Sequence, residues 1–90
     1  MELTKQVLIK GKVQGVFYRA TAKEVGTAIG IKGWIKNTAD GHVEACISGK
    51  AESIDAFIAW CWKGPKDAEV MDIEIQKSDH QSFSRFEIIK

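Results

Sequence analysis

The sequence predicts an α+β fold of order β-α-β-β-α-β with one more strand at its C-terminus, two helices covering one face of a mostly antiparallel sheet. Three observations predict it. Apolar residues alternate with polar ones over 5–13, 31–37, 43–49, 70–77 and 83–89, the period of half-buried strands. Two segments, 20–29 and 51–63, carry apolar residues at the spacing of one helical face. Asp40-Gly41 stands between the second and third alternating runs, where it marks a tight hairpin.

In the first run Val7, Ile9 and Val13 share one face, opposite Gln6, Lys10 and Lys12. Leu8 interrupts the alternation, which predicts a central strand covered on both sides near one end. Ala22, Val25, Ala28 and Ile29 fall at the helical spacing of the first helix, expected over 20–29. Thr21 and Glu24 make a weak capping-box pair at its start, and Gly30 stands where a left-handed C-cap is favoured. Gly26 costs this helix about 1 kcal/mol relative to alanine, so a packing contact is expected there.

Ile31, Gly33, Ile35 and Asn37 share a face of the second strand, opposite Lys32, Trp34 and Lys36. After the Thr38-Ala39-Asp40-Gly41 turn, the returning strand sets Val43, Ala45 and Ile47 inward against Glu44, Cys46 and Ser48. Ile54, Phe57, Ile58 and Cys61 fall at i, i+3, i+4 and i+7 of the second helix, which Gly64-Pro65 stops. Met71, Ile73 and Ile75 are expected on the inward face of the fourth strand. A polar stretch, 78–82, carries His80 and leads to a last strand expected from Phe83 to Ile89. A split β-α-β arrangement, the ferredoxin-like sandwich, is the simplest assembly of this order.

Ninety residues fit a single domain, 1–90, able to bury roughly 60–65% of its unfolded surface. With 13 basic and 12 acidic residues the net charge is +1, too balanced for a mainly electrostatic nucleic-acid binder. No apolar run approaches the ~20 residues of a membrane span. Met1 to Gln6 lacks a secretory pattern, so a cytoplasmic location is expected. Cys46 and Cys61 have neither metal-ligand nor redox spacing and read as ordinary buried thiols.

The chemistry concentrates in Val13-Gln14-Gly15-Val16-Phe17-Tyr18-Arg19, between the first strand and the first helix. A glycine-containing turn can aim several backbone N–H groups at one point, and a helix N-terminus adds a positive dipole end. Arg19 adds a planar, bidentate charge. These are the parts of a phosphate cradle. A right-handed crossover makes the first and second strands parallel, so Arg19 and Asn37 are expected at the same sheet edge. With the third strand between them, the gap is about two 4.8 Å steps, room for a phosphate and one water. No Ser-His-Asp or Cys-His pair and no carboxylate cluster for Mg²⁺ accompanies the loop. Without nucleophile or general base, the substrate must carry a good leaving group. A mixed carboxylic-phosphoric anhydride does, since a carboxylate departs without protonation.

Val13-Gln14-Gly15-Val16-x-Tyr18-Arg19 and Gly33-Trp34-Ile35-Lys36-Asn37-x-x-Asp40-Gly41-x-Val43-Glu44 resemble the two signatures of the acylphosphatase family. Gly49, Gly64-Pro65 and a final Phe86-x-Ile88 extend the likeness over nearly the whole chain. Tyr18 departs from the usual phenylalanine or methionine and Ile35 from valine or alanine, while Phe17 falls at a variable position. The resemblance implies hydrolysis of acyl phosphates to a carboxylate and inorganic phosphate, without metal or cofactor. It implies that Arg19 binds the phosphoryl oxygens, that backbone amides of Gln14, Gly15, Val16, Phe17, Tyr18 and Arg19 complete the cradle, and that Asn37 orients the attacking water. Thr38 either supports Asn37 or starts the turn. Inorganic phosphate is expected as product and inhibitor, and the chain as a monomer with no membrane or nucleic-acid partner.

The remaining conspicuous residues have ordinary readings. Trp60 is expected half-buried, with Trp34 and Trp62 pointing away from the core. His42 reads as a solvated hairpin residue, and Lys32 and Lys36 as a solvated strand face. An RNA-recognition module shares the element order but needs aromatics on its third strand, where His42 to Ser48 has none. A non-catalytic, anion-binding regulatory domain of the same fold would use the same residues as the enzyme.

Overall fold

A computed structural model describes residues 2–79 and 81–89; His80, from the expected polar stretch, lies outside them. The described chain runs β1 (Glu2–Lys12), α1 (Tyr18–Ala28), β2 (Lys32–Asn37), β3 (Val43–Lys50), α2 (Ala51–Lys63), β4 (Glu69–Ser78) and β5 (Phe86–Ile89). The strands form one five-stranded sheet in the order β4-β1-β3-β2-β5. β3 is antiparallel to both β1 and β2, so those two point the same way on either side of it. β5 lies parallel to β2 at the edge.

The inward sheet residues Val7, Ile9, Ile35, Val43, Ala45 and Ile47 form one buried cluster with Ala22 of α1 and Ile54, Phe57 and Cys61 of α2. That is the ferredoxin-like sandwich expected from the element order. Gly26 has the packing contact its helix position called for. A Cβ there would stand 2.6 Å from Phe86 Cδ2 and 3.2 Å from Phe57 Cε1, so its absence lets α1 settle onto both rings. Gly30 closes α1 as expected: its N–H donates to Thr27 while Ile31 N–H reaches back to Gly26 at 2.8 Å, satisfying two end carbonyls.

Four local expectations change. α1 begins at Tyr18 rather than Ala20, and Phe17 at its N-cap gives no side-chain cap. Leu8 has no second layer above it. It is half-buried on the helix-free face, in a hollow of about 130 Å³ lined by Gln6, Glu44, Glu74 and Gln76. Met71 points out, because β1 and β4 slip register there: Lys10 pairs with Asp72 and Gly11 with Val70, leaving Met71 unpaired in a bulge. The inward place passes to Val70 beside Ile73. The last strand starts at Phe86 instead of Phe83, since Phe86 pairs with Gly33 and β2 begins only one residue before that. Residues 83 and 84 lie beyond the end of their would-be partner.

Candidate active site

The parallel course of β1 and β2 brings their C-terminal ends to one edge of the sheet, and α1 starts there. The 13–17 loop and the β2–β3 turn are fastened together by Gln14. Its side-chain amide donates to the Thr38 carbonyl at 2.9 Å and to the His42 carbonyl at 2.8 Å. The loop's resemblance implies only a backbone part for Gln14; in the structure its side chain is the brace between the loop and the β2–β3 turn.

Within the loop, Gly15 (φ 73°) and Phe17 (φ 63°) are left-handed, one on each side of Val16. Around Gly15 the space is open, so glycine answers a conformational need there, not a steric one. Phe17 is the one non-glycine residue with positive φ among the described residues, a strain of about 1–2 kcal/mol. Left-handed residues next to right-handed ones turn successive N–H groups to one side. Those of Gly15, Val16 and Phe17 make no backbone hydrogen bond among the described residues. Those of Tyr18, Arg19 and Ala20 open α1, where a helix offers no internal acceptor and no side chain caps them. The expected Thr21–Glu24 capping pair does not form. Thr21 is already inside the first turn, and its hydroxyl donates back to the Phe17 carbonyl at 2.9 Å.

Val16 and Tyr18 are buried, so they offer the site backbone only. The Tyr18 hydroxyl donates to the Cys61 carbonyl at 2.6 Å. A helical carbonyl normally pairs with the N–H four residues on, which here is Pro65 and has none. Tyr18 supplies the missing donor at the end of α2. Burial drives its pKa far above the ordinary tyrosine range, with Cys61 adding to the shift.

Arg19 lies in the first turn of α1, half-exposed, and ion-pairs with no carboxylate among the described residues. Asn37 ends β2 opposite Val43, on the inward face with Ile35. Its Oδ1 is buried without a hydrogen-bond partner. Thr38 does not support Asn37 through its hydroxyl. That group donates to Asp40 Oδ1 at 2.6 Å and accepts the His42 N–H at 3.0 Å, so it closes the turn. The Thr38 bond also holds the Asp40 carboxyl below the usual range. His42 is half-buried, not solvated, with an unpartnered Nδ1. On the helix-free face, Lys36 Nζ lies 5.3 Å from the Trp34 ring and 3.7 Å from Glu44, so it is engaged there and not free. Trp60 is half-buried against Tyr18 and Phe57, and Trp62 is exposed, as expected. Both cysteines are free and buried.

The arrangement gathers backbone donors, a guanidinium and an amide oxygen at one sheet edge. Among the described residues, no three His, Cys, Asp or Glu side chains stand close enough to hold a metal ion. No described helix is long and apolar enough to cross a membrane. Two features escape sequence reasoning. The Gln14 bonds span 24 and 28 residues and leave no local signal. The left-handed Phe17 sits where residue type argues against that conformation.

Fold and site together define a ferredoxin-like α+β sandwich with its donors collected where a parallel strand pair ends. The acylphosphatase family model matches residues 5–88. An acylphosphatase of Nitrosococcus oceani is 41% identical over 81 residues, covering 90% of this chain and 91% of its own. One from Methylococcus capsulatus is 45% identical over 71 residues, 79% of this chain and 77% of its own. The solved acylphosphatase of Coxiella burnetii superposes with a TM-score of 0.94 at 32% identity, over 98% of this chain and 93% of that one. The chain belongs to the acylphosphatase family.

Proposed function

We propose that this chain hydrolyses acyl phosphates to a carboxylate and inorganic phosphate by direct attack of water, without a metal ion. The observation that carries the reading is the buried, unpartnered Oδ1 of Asn37, placed at the sheet edge where α1 begins. Buried acceptors in folded proteins are nearly always satisfied, so an orphan at such a place calls for a bound water. The amide oxygen accepts a hydrogen bond from that water and so aims a lone pair at the phosphorus.

Arg19 and the loop N–H groups of residues 14–19 hold the phosphoryl oxygens and offset their charge as the transition state forms. Phosphoryl transfer asks chiefly for such positioning and charge stabilisation. The water oxygen forms the new P–O bond, the bond between phosphorus and the acyl oxygen breaks, and its electron pair leaves with the carboxylate. One water proton passes to a phosphoryl oxygen, so the products are a carboxylate and dihydrogen phosphate. No protein base is needed. Inorganic phosphate fits the same cradle and inhibits by competition.

Hydrolysis of benzoyl phosphate by the wild type, Arg19→Gln and Asn37→Ala, each with EDTA, tests the reading. Wild-type turnover indifferent to EDTA is expected, cut by about 100-fold or more by both substitutions, with the residual activity of Arg19→Gln also losing inhibition by phosphate. Undiminished turnover in Arg19→Gln overturns the mechanism. A wild type that binds phosphate but hydrolyses nothing is the non-catalytic regulatory domain.

A further inference from the structure

We propose that Phe17 forms the acyl-group subsite, its ring contacting the organic half of the substrate so that aryl acyl phosphates are favoured over acetyl phosphate. This rests on the hydrolytic reading above and extends it from the phosphoryl group to the leaving group.

Phe17 is unfavourable for the fold on each local count. Its backbone is left-handed, which a bulky side chain resists. It occupies the N-cap of α1, a place for Ser, Thr, Asp, Asn or Gly, and caps nothing. Its side chain is 82% exposed, so burial returns little of that cost. Strain of this kind concentrates at ligand sites.

Its position gives the ring a target. The N–H of Phe17 belongs to the unpaired group of loop donors, so a phosphoryl group held by them lies against this residue's own backbone. The bridging oxygen and the acyl group must leave the donor-lined floor on the open side. Val16 and Tyr18 are both turned into the core, which fixes the intervening ring on the solvent side. The other loop and turn groups are occupied or absent: Gly15 has no side chain, Gln14 is bonded to two carbonyls, and Thr38 is bonded to Asp40. Phe17 is the exposed apolar surface that this part of the site has to offer. An aromatic acyl group can stack on it, whereas an acetyl group is too small to do so. Aromatic pairing of this kind corresponds to a preference of roughly tenfold.

The test is the ratio of kcat/KM for benzoyl phosphate to that for acetyl phosphate in the wild type, Phe17→Asn and Phe17→Tyr. Asparagine tolerates the left-handed backbone and removes the ring; tyrosine keeps the ring. A change in the cradle common to both substrates cancels in the ratio. The ratio is expected to fall roughly tenfold in Phe17→Asn and to stay near wild type in Phe17→Tyr. Phe17→Asn is also expected to melt at a higher temperature, since it relieves the strained backbone. A wild-type enzyme active on both substrates, with the same ratio in Phe17→Asn, overturns the subsite and leaves the hydrolytic reading standing. A wild type inactive on both overturns the hydrolytic reading and the subsite with it.

Discussion

Gln14 and Thr38 are joined across the site: the Gln14 side-chain amide donates to the Thr38 carbonyl at 2.9 Å, one residue beyond Asn37. A second bond from the same nitrogen reaches the His42 carbonyl at 2.8 Å, on the other arm of the hairpin. One amide therefore sets the distance between the loop that carries the backbone donors and the strand end that carries Asn37. Rigid spacing of this kind matters most where a water must meet a phosphorus in line.

Gln14→Ala removes both bonds. Each carbonyl keeps another partner, Gly41 N–H on Thr38 and Thr38 N–H on His42, so the stability cost is about 1–2 kcal/mol in urea unfolding. The kinetic cost is greater, about tenfold or more in kcat/KM for benzoyl phosphate, because the two halves lose their register. Gln14→Glu is worse on both measures. Its carboxylate faces two carbonyl oxygens and adds negative charge beside the proposed phosphate cradle. A Gln14→Glu enzyme with wild-type kinetics would show that the brace has no part in positioning.

Asn37 and Arg19 separate by what they change. On the proposed mechanism, Asn37→Ala takes the orienting acceptor from the water and leaves the phosphoryl donors in place. The expected result is a fall in kcat of about 100-fold or more with the phosphate inhibition constant within a few-fold of wild type. Arg19→Lys reverses the pattern in part: the charge stays but the planar pair of donors goes, so phosphate inhibition weakens along with turnover. Inhibition measured against benzoyl phosphate distinguishes the two. Loss of phosphate affinity in Asn37→Ala would move that residue from the water to the anion.

The architecture was legible because each element carries a one-dimensional period. Alternation at Val7, Ile9 and Val13, helical spacing from Ile54 to Cys61, and the Asp40-Gly41 turn are local signals that the structure follows. The shared edge of Arg19 and Asn37 was legible too, since the crossover rule makes β1 and β2 parallel. What stayed hidden depends on register between distant strands or on a single backbone angle. The bulge that turns Met71 outward arises because Gly11, on the distant β1, pairs with Val70 and skips Met71. The start of α1 at Tyr18 follows from Phe17 taking a left-handed cap, and no helix period records that. Thr38 and His42 were placed on the correct turn, but their bonding is set by how the turn folds upon itself.

Glycine at position 33 is fixed by the neighbouring strand. A Cβ there would collide with the Cys46 carbonyl oxygen and stand 2.9 Å from its carbon and 3.1 Å from Ile47 Cα, all of it backbone that cannot turn aside. Gly33→Ala would also strain a φ of 141°. A loss of about 3 kcal/mol or more is expected, close to unfolding for a domain of this size. Gly26→Ala is milder, because the obstructing atoms are rings. Overpacking against Phe86 and Phe57 costs about 1–3 kcal/mol, and helix propensity returns up to about 1. Denaturant midpoints should rank wild type, Gly26→Ala, Gly33→Ala in falling order, and the reverse order for the two variants would contradict the packing.

The Tyr18–Cys61 contact predicts how the fold fails in alkali. Burial raises the Cys61 thiol from an ordinary 9.0 to about 12, although the neighbouring Tyr18 hydroxyl acts in the opposite direction. Tyr18 is likewise raised above its ordinary 10.0 by burial. Above about pH 9 the unfolded chain releases the Cys61 proton while the folded chain keeps it. Stability from this group is therefore complete below about pH 9 and is lost as the pH rises towards 12, by up to ~1.4 kcal/mol per pH unit. Cys46, also raised by burial, adds a loss of the same sign, and Tyr18 adds another from about pH 10 upward. Urea unfolding at about pH 8, 9, 10 and 10.5 should show stability level at first and then falling with increasing slope. Cys61→Ala should flatten the decline that begins near pH 9. Tyr18→Phe should lower stability at neutral pH by about 1–2 kcal/mol, since the Cys61 carbonyl then has neither Pro65 nor a hydroxyl to bond, yet lessen the further steepening above pH 10. An alkaline decline identical in wild type and both variants would place the responsible groups elsewhere.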